Sequence, residues 1–273
     1  MRFISCRRLI CAIAALLTAT TVAFAADELS IVGTGDGIDV LRALSSAFMD
    51  EYKSIWIDVP PSIDSGGGVE AVRNNKAVLG RVARALTDAE AAAGIQYEPI
   101  AKLPSAFYVH PDTGITALTA AQLADVYAGR VTNWNQVGGA DLRIRVVRRD
   151  EGDSTLRVLR VTMPQWKDLV ITDRSKMAIT TQDAIETVHD VPGAIGFGPF
   201  TRTLEAKTVV IRVDGRYPTD VEYPSNVVLA LIYKKSTITP AARAFITFLG
   251  TPKARSIFES LGSIPLKKNR EPT

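Results

Sequence analysis

Arg149, Ser154 and Thr155 are the residues of this 273-residue chain whose types and spacing best suit chemistry, and that chemistry is the holding of an anion. Ile144, Val146 and Val147 form a short apolar run with strand character. After Gly152, Leu156, Val158, Leu159 and Val161 recur mostly at helical spacing. A strand that ends in a polar turn and feeds a helix leaves the first backbone N–H groups of that helix unpaired, at its positive end. Such an end seats an anion. Arg149, at the strand end, adds a two-pronged charged clamp, and the hydroxyls of Ser154 and Thr155 can donate to the same oxygens. The competing reading is that Ser154 only caps the helix and the arginines are solvated.

The elements around this turn repeat its design. Residues 29–32 read as a strand, followed by the turn Gly33-Thr34-Gly35-Asp36-Gly37 and a helix over residues 38–52 with Leu41, Leu44, Phe48 and Tyr52 on its buried stripe. A second strand, residues 55–59, leads through Pro60-Pro61 into Ser62-Ile63-Asp64-Ser65-Gly66-Gly67-Gly68, which opens another helix through Val69 and Val72. A third, residues 79–83, ends at Arg84 before the capping box Thr87-Asp88-Ala89-Glu90. Strands alternating with amphipathic helices mark an α/β chain with mainly parallel sheets, whose ligands sit at the carboxyl ends of the strands. The first glycine turn also invites comparison with a dinucleotide fingerprint, with Asp58 as its acidic residue. Its spacing is G-x-G-x-G, however, and the third glycine of that fingerprint is misplaced.

The start of the chain reads as an export signal. Arg2, Arg7 and Arg8 precede an apolar run over residues 9–25 that ends in Ala23-Phe24-Ala25, which predicts cleavage after Ala25. The run is too short and too rich in Thr for a membrane anchor. Arg7-Arg8 leaves Sec and twin-arginine export both open. Removal of 25 of 273 residues leaves 248. The formal charge of +3 leaves with those three arginines, since 32 basic residues less three matches the 29 acidic ones. A neutral mature chain gives no ground for nucleic acid or an anionic membrane as partner. Cys6 and Cys11 are the two cysteines and both lie in the signal, so the mature chain has no disulfide, thiol nucleophile or thiolate metal site. His110 and His189 stand far apart and read as structural or surface residues. No metal or cofactor is expected.

The run LTAAQLADVYAGRVTNWNQVGG, with Thr119 and Gln122 as a capping box and Gly129 as helix stop, is followed by a strand, Arg149 and a turn carrying Gly152, Ser154 and Thr155. Together these resemble the periplasmic phosphate-binding family, the solute-binding subunits of phosphate ABC transporters. The segments GTGDGIDVLRALSSAF, SGGGVEAV, GRVARALTDAE, GAIGFGPF, YPSNVVLALIYKK and FESLGSIPL extend the resemblance in order along nearly the whole mature chain. It implies a two-lobed type II periplasmic-binding-protein fold, with two strands crossing between lobes that close over a small oxyanion. The crossings are expected at residues 105–110 and 227–233. Lobe 1 is then 26–107 plus the returning 227–273, and lobe 2 is 108–226. Helices beginning at Thr239-Pro240 and Thr251-Pro252 rejoin lobe 1.

Carried onto this sequence, the family's ligands fall at Gly37 and Ile38 through backbone N–H, and at Ser65, Arg149, Asp153, Ser154 and Thr155. Two positions depart from the family pattern: Ala83 replaces an acidic residue, and Asp153 replaces a serine. Arg84 matches an arginine of some members. Asp153 is expected to take over the acceptance of the proton that phosphate carries and sulfate lacks. If Asp153 instead caps the helix and turns away from the cleft, sulfate or another oxyanion becomes an equal ligand. The implied partners are a phosphate-like oxyanion and an inner-membrane ABC permease, for a periplasmic monomer with no reaction of its own. A sensor or adhesion protein on the same fold is an alternative. A phosphate-releasing hydrolase is another, although it would need a metal cluster or an activated nucleophile, and neither is visible.

Overall fold

The computed structural model describes residues 27–220 and 222–266. The export segment and its cleavage point therefore lie outside the described residues. The chain opens with β1 (Asp27–Gly33), α1 (Ile38–Glu51), β2 (Ile55–Asp58), α2 (Asp64–Arg73), β3 (Leu79–Val82), the short α3 (Asp88–Ala92) and the long β4 (Ile95–Val109). It continues through β5 (Ala117–Leu118), α4 (Ala120–Tyr127), β6 (Arg145–Arg148), α5 (Ser154–Thr162), β7 (Lys176–Met177), α6 (Thr181–Asp190) and β8 (Ala194–Pro199). Two short strands, β9 (Val209–Val210) and β10 (Arg212–Val213), precede β11 (Asn226–Lys234), α7 (Pro240–Phe248), α8 (Pro252–Ser260) and β12 (Ile264–Pro265).

Strand β4 organises the molecule. Its first half pairs antiparallel with β11, from Ile95 opposite Lys234 to Pro104 opposite Asn226. Its second half pairs with β8, from Ser105 opposite Pro199 to Val109 opposite Ile195. The sheet consequently runs β2-β1-β3-β11-β4-β8-β6-β7, with β1 parallel to both β2 and β3 and β6 parallel to β8. The change of partner falls between Pro104 and Ser105, where Ser105 N donates to Ser225 O at 2.9 Å. The crossing thus sits at the start of the stretch expected for it, and β11 belongs wholly to the first half of the sheet. β4 is also longer than residues 105–110, because Pro99 and Pro104 interrupt an apolar run that the sheet nevertheless accommodates.

Each half has its own core. Leu41, Leu44 and Phe48 of α1 pack with Phe245 and Phe248 of α7, Phe258 of α8, and Leu103 and Leu229 of the sheet. Phe107, Tyr127, Trp166 and Phe197 form a second cluster, with ring centroids 5.0–6.2 Å apart. Such edge and tilted ring pairs add about 0.5–1.5 kcal/mol each beyond the area they bury. The expected start and stop signals appear in place: capping boxes at Thr87/Glu90 and Thr119/Gln122, a left-handed Gly129, and Pro240 and Pro252 in the first helical turn.

A second boundary also differs from expectation. Helix α2 begins at Asp64, so Ser65-Gly66-Gly67-Gly68 is its first turn and not a preceding loop. The reason shows at Gly68, where a Cβ would come within 2.9 Å of Gly33 Cα; only glycine lets the helix lie this close to β1. No helix among the described residues is long and apolar enough to cross a membrane.

Candidate anion-binding site

The ends of β1, β3 and β6 and the first turns of α2 and α5 meet at a cavity of about 180 Å³, lined by Thr34, Asp64, Ser65, Arg149, Asp153 and Ser154 among others. A larger depression of about 830 Å³ lies elsewhere on the second half, along Arg130, Lys167 and Val170. Its wall includes none of the buried charged groups, so the chemistry belongs to the smaller cavity.

Arg149 follows β6 directly and is buried. Its Nε and Nη2 each lie 3.1 Å from Asp153 Oδ2, and Nη1 donates to Ala178 O at 2.7 Å. Asp153 in turn is the N-cap of α5, accepting from Leu156 N at 2.9 Å. This geometry corrects the alternative reading of Asp153, that it caps the helix and leaves the cleft. It does cap the helix, but it does not turn away: its carboxylate lines the cavity, pairs with Arg149 and sits at the positive helix end where an external anion would be drawn. Burial raises its carboxyl above the ordinary range, against the lowering effects of Arg149 and the Leu156 and Thr155 N–H groups. Ser154 Oγ lies 3.3 Å from Ser65 Oγ across the cavity, and Ser65 Oγ also accepts from Ala83 N at 3.2 Å. Thr155 is buried, and its Oγ1 has no protein partner. Arg148, one residue earlier, points to the other face and donates to Ser175 Oγ at 3.1 Å, as strand alternation requires.

Ser65, Arg149, Asp153 and Ser154 thus line one cavity, with Thr155 beside them. Gly37 and Ile38 do not line it. They begin α1, where a Cβ on Gly37 would press on Leu229 at 2.6 Å and the left-handed φ of 74° independently favours glycine. Arg84 also stays out, forming two 2.8 Å bonds with Glu90, whose carboxyl is held down at about 2 chiefly by that guanidinium. His110 caps a short turn through Asp112 N, and His189 Nδ1 contacts Lys207 O.

Two buried charged residues beside the cavity, neither in its lining, were not singled out from the sequence. Asp36, in the turn before α1, is 1% exposed; its Oδ1 accepts from Thr181 Oγ1 of α6 at 2.9 Å, while Oδ2 has no protein partner. Burial pushes its carboxyl up to about 7, and the negative charge of Asp153 adds to the rise. Arg81 of β3 is fully buried and donates to the carbonyls of Ile31, Thr34 and Pro60, tying the β1 turn to the end of β2. Burial lowers its guanidinium to about 10. A charged residue inside the apolar strand Leu79–Val82, and an acid inside a glycine turn, were the available signals.

Beside the cavity the two halves touch through Asp36–Thr181, through Gln182 Nε2 to Gly35 O at 3.2 Å, and through Thr203 to Asp39 at 2.8 Å. The arrangement is a closed cleft between two lobes. The sequence profile of the PBP superfamily domain matches residues 18–253. This chain belongs to that superfamily. The phosphate-binding protein PstS of Bacillus subtilis is 26% identical over 255 residues, covering 89% of this chain and 82% of its own. The PstS of Borreliella burgdorferi is 23% identical, covering 88% and 92%. A Clostridium perfringens protein assigned as a phosphate ABC transporter substrate-binding protein, solved with phosphate bound, superposes with a TM-score of 0.76 at 24% identity, covering 88% of this chain and all of its own. The type II binding-protein fold expected from the sequence is the fold observed.

Proposed function

We propose that this protein is an exported solute-binding protein that captures a small oxyanion, phosphate foremost, and hands it to an ABC permease in the inner membrane. The observation that carries the reading is the convergence, in one closed cleft, of a buried arginine, the positive end of α5 and three hydroxyls, Ser65, Ser154 and Thr155. The named function of the PstS relatives favours phosphate within that chemical class.

In this reading Ser65, Arg149, Asp153, Ser154 and Thr155 contact the ligand, and the N–H groups that begin α1 at Gly37 and Ile38 add their dipole from behind. Residues 26–107 with 227–273 form one lobe and 108–226 the other. The mature protein starts after Ala25, works in the periplasm as a monomer and binds no nucleic acid. It is read as a carrier with no reaction of its own, as membership of a binding-protein superfamily favours. The cleft supplies positioning and charge alone.

Calorimetric titration of the mature protein with phosphate, sulfate and arsenate tests this. Saturable binding of phosphate with a one-to-one stoichiometry is expected, and no heat with any of the three ions defeats the reading.

A further inference from the structure

We propose that Asp36 is a ligand-binding residue that meets the bound oxyanion as a neutral acid, donating from Oδ2 while Oδ1 accepts from Thr181, so that closing the cleft over its ligand takes up one proton. This rests on the oxyanion reading of the site above and adds to it a residue and a proton.

The geometry starts with the orphaned oxygen. Asp36 is 1% exposed, Oδ1 is used by Thr181 at 2.9 Å, and Oδ2 has no partner in the protein. A buried polar atom left unmet is destabilising, and a ligand oxygen would recover that loss. A second orphan, Thr155 Oγ1, is buried on the facing lobe.

The charges around Asp36 decide its form. Asp153, from the turn before α5, and Asp64, from α2, both oppose its ionisation. Arg149 favours ionisation, but its three nitrogens are directed to Asp153 and to Ala178 O. Arg81 of β3 lies near, with its bonds spent on backbone carbonyls. Tyr108 of β4 directs its hydroxyl to Phe197 O, and Thr181 of α6 supplies the single hydrogen bond to the carboxyl. No guanidinium is aimed at Asp36, and burial is the largest influence on it, pushing the acid up to about 7. An oxyanion bound beside it adds negative charge and holds the proton more firmly. A neutral carboxyl offers one O–H donor, which an oxyanion can accept without bringing a proton of its own.

The alternative, an ionised Asp36, would accept the ligand's proton, and the two forms differ in proton count. Phosphate and sulfate are titrated into the mature protein from about pH 8 to about pH 9, in two buffers of different ionisation heat. There free phosphate is a dianion and an acid titrating near 7 is ionised before binding. The neutral-acid form predicts uptake of one proton per ion bound and an affinity that falls about tenfold per pH unit. Asp36→Asn keeps both hydrogen-bonding roles without a titrating group, so its uptake and slope should vanish. Thr181→Val removes the bond that favours ionisation, so the fall in affinity should begin at higher pH. Phosphate binding by the wild type without proton uptake overturns the proposal while leaving the oxyanion reading intact, and the wild-type measurement alone decides this if a variant fails to fold. Retention of the slope in Asp36→Asn overturns it equally. Absence of binding by every ion removes the reading on which it stands.

Discussion

The two walls of the cleft solve the same problem by different means. On the first lobe, α1 and α2 begin with no side-chain cap, at Gly37 and Ile63. Every other α-helix described starts with a capping side chain: Thr87, Thr119, Asp153, Thr180, Thr239 or Thr251. The first lobe therefore presents helix starts whose N-cap residues consume no donor, the one side-chain acceptor at α2 being Ser62 Oγ, which takes Asp64 N–H at 3.2 Å. The second lobe presents Arg149, whose charge is already met by Asp153, itself seated on the N-terminus of α5. One wall is open in its hydrogen bonding and the other is internally compensated. An oxyanion does not simply add to Arg149; it has to share that cation with a resident carboxylate, so much of the affinity must come from bringing the open wall down upon it.

The largest way to break this comparison is Arg149→Ala. It removes the cation and leaves Asp153 buried without its partner, a change that costs about 2–5 kcal/mol for a buried charged pair. Phosphate affinity should drop by about 30-fold or more. Calorimetry that finds binding intact would mean the uncapped helices of the first lobe suffice alone.

Next in size is the pH response of stability without ligand. The Asp36 carboxyl is raised in the folded protein to about 7, so between its ordinary range and that value the native state binds the proton more tightly than the unfolded chain. Stability contributed by this group is then full below pH ~4 and declines as pH rises to about 7. Asp36→Asn should flatten that decline, and the gain over wild type should be greatest at neutral pH, amounting to several degrees since each kcal/mol moves the melting temperature of a protein this size by about 2–4 °C. Thermal melts at pH 4 and pH 7 check it, and an unchanged difference between the two would place Asp36 outside the closed interface.

These residues also show how far the sequence could be read. Arg149 and Ser154 drew notice because a polar turn between a strand and a helix exposes free N–H groups, with capping as the competing reading, and Ser65 came from the family resemblance, whereas the helix signals at Thr119, Gly129 and Pro240 are local rules that tertiary packing left untouched. Asp153 was visible as a cap or as a cleft residue, and only the fold reveals that its two oxygens do both jobs at once. Asp36 was hidden because an acid between glycines reads as an ordinary turn residue; what makes it unusual is Thr181, 145 positions away on the other lobe. Arg81 was hidden in the same way, since its partners are carbonyls of β1 and of the stretch after β2, brought together by the sheet. Long-range burial, not local pattern, determines both.

A smaller effect is expected at Ser65, which joins the walls hydroxyl to hydroxyl through Ser154. Ser65→Ala removes the acceptor of Ala83 N–H and the contact with Ser154, each about 3.2–3.3 Å long. Loss of one such neutral bond costs about 1 kcal/mol. Affinity should fall about fivefold, with a comparable loss of stability in urea, because the Ala83 bond exists with or without ligand. A loss confined to binding would mean that Ser65 serves the ligand and not the turn.

Arg148→Ala should do least, and for that reason it tests the frame on which everything else hangs. Arg148 and Arg149 are neighbours of identical charge, so long-range electrostatics barely distinguishes them. What separates them is strand alternation: β6 turns Arg149 inward onto Asp153 and Ala178, and turns Arg148 outward to Ser175 at 3.1 Å. Substitution at an exposed or half-exposed polar position ordinarily changes stability by no more than about 0.5 kcal/mol. Affinity for phosphate should remain within about twofold of wild type. A loss at Arg148 as large as that at Arg149 would imply either that the strand is out of register by one residue or that summed positive charge, and not a directed guanidinium, holds the ligand. Arg148→Glu separates these outcomes: reversed charge at an outward position weakens binding only if the field matters, and that weakening should fade as salt is raised.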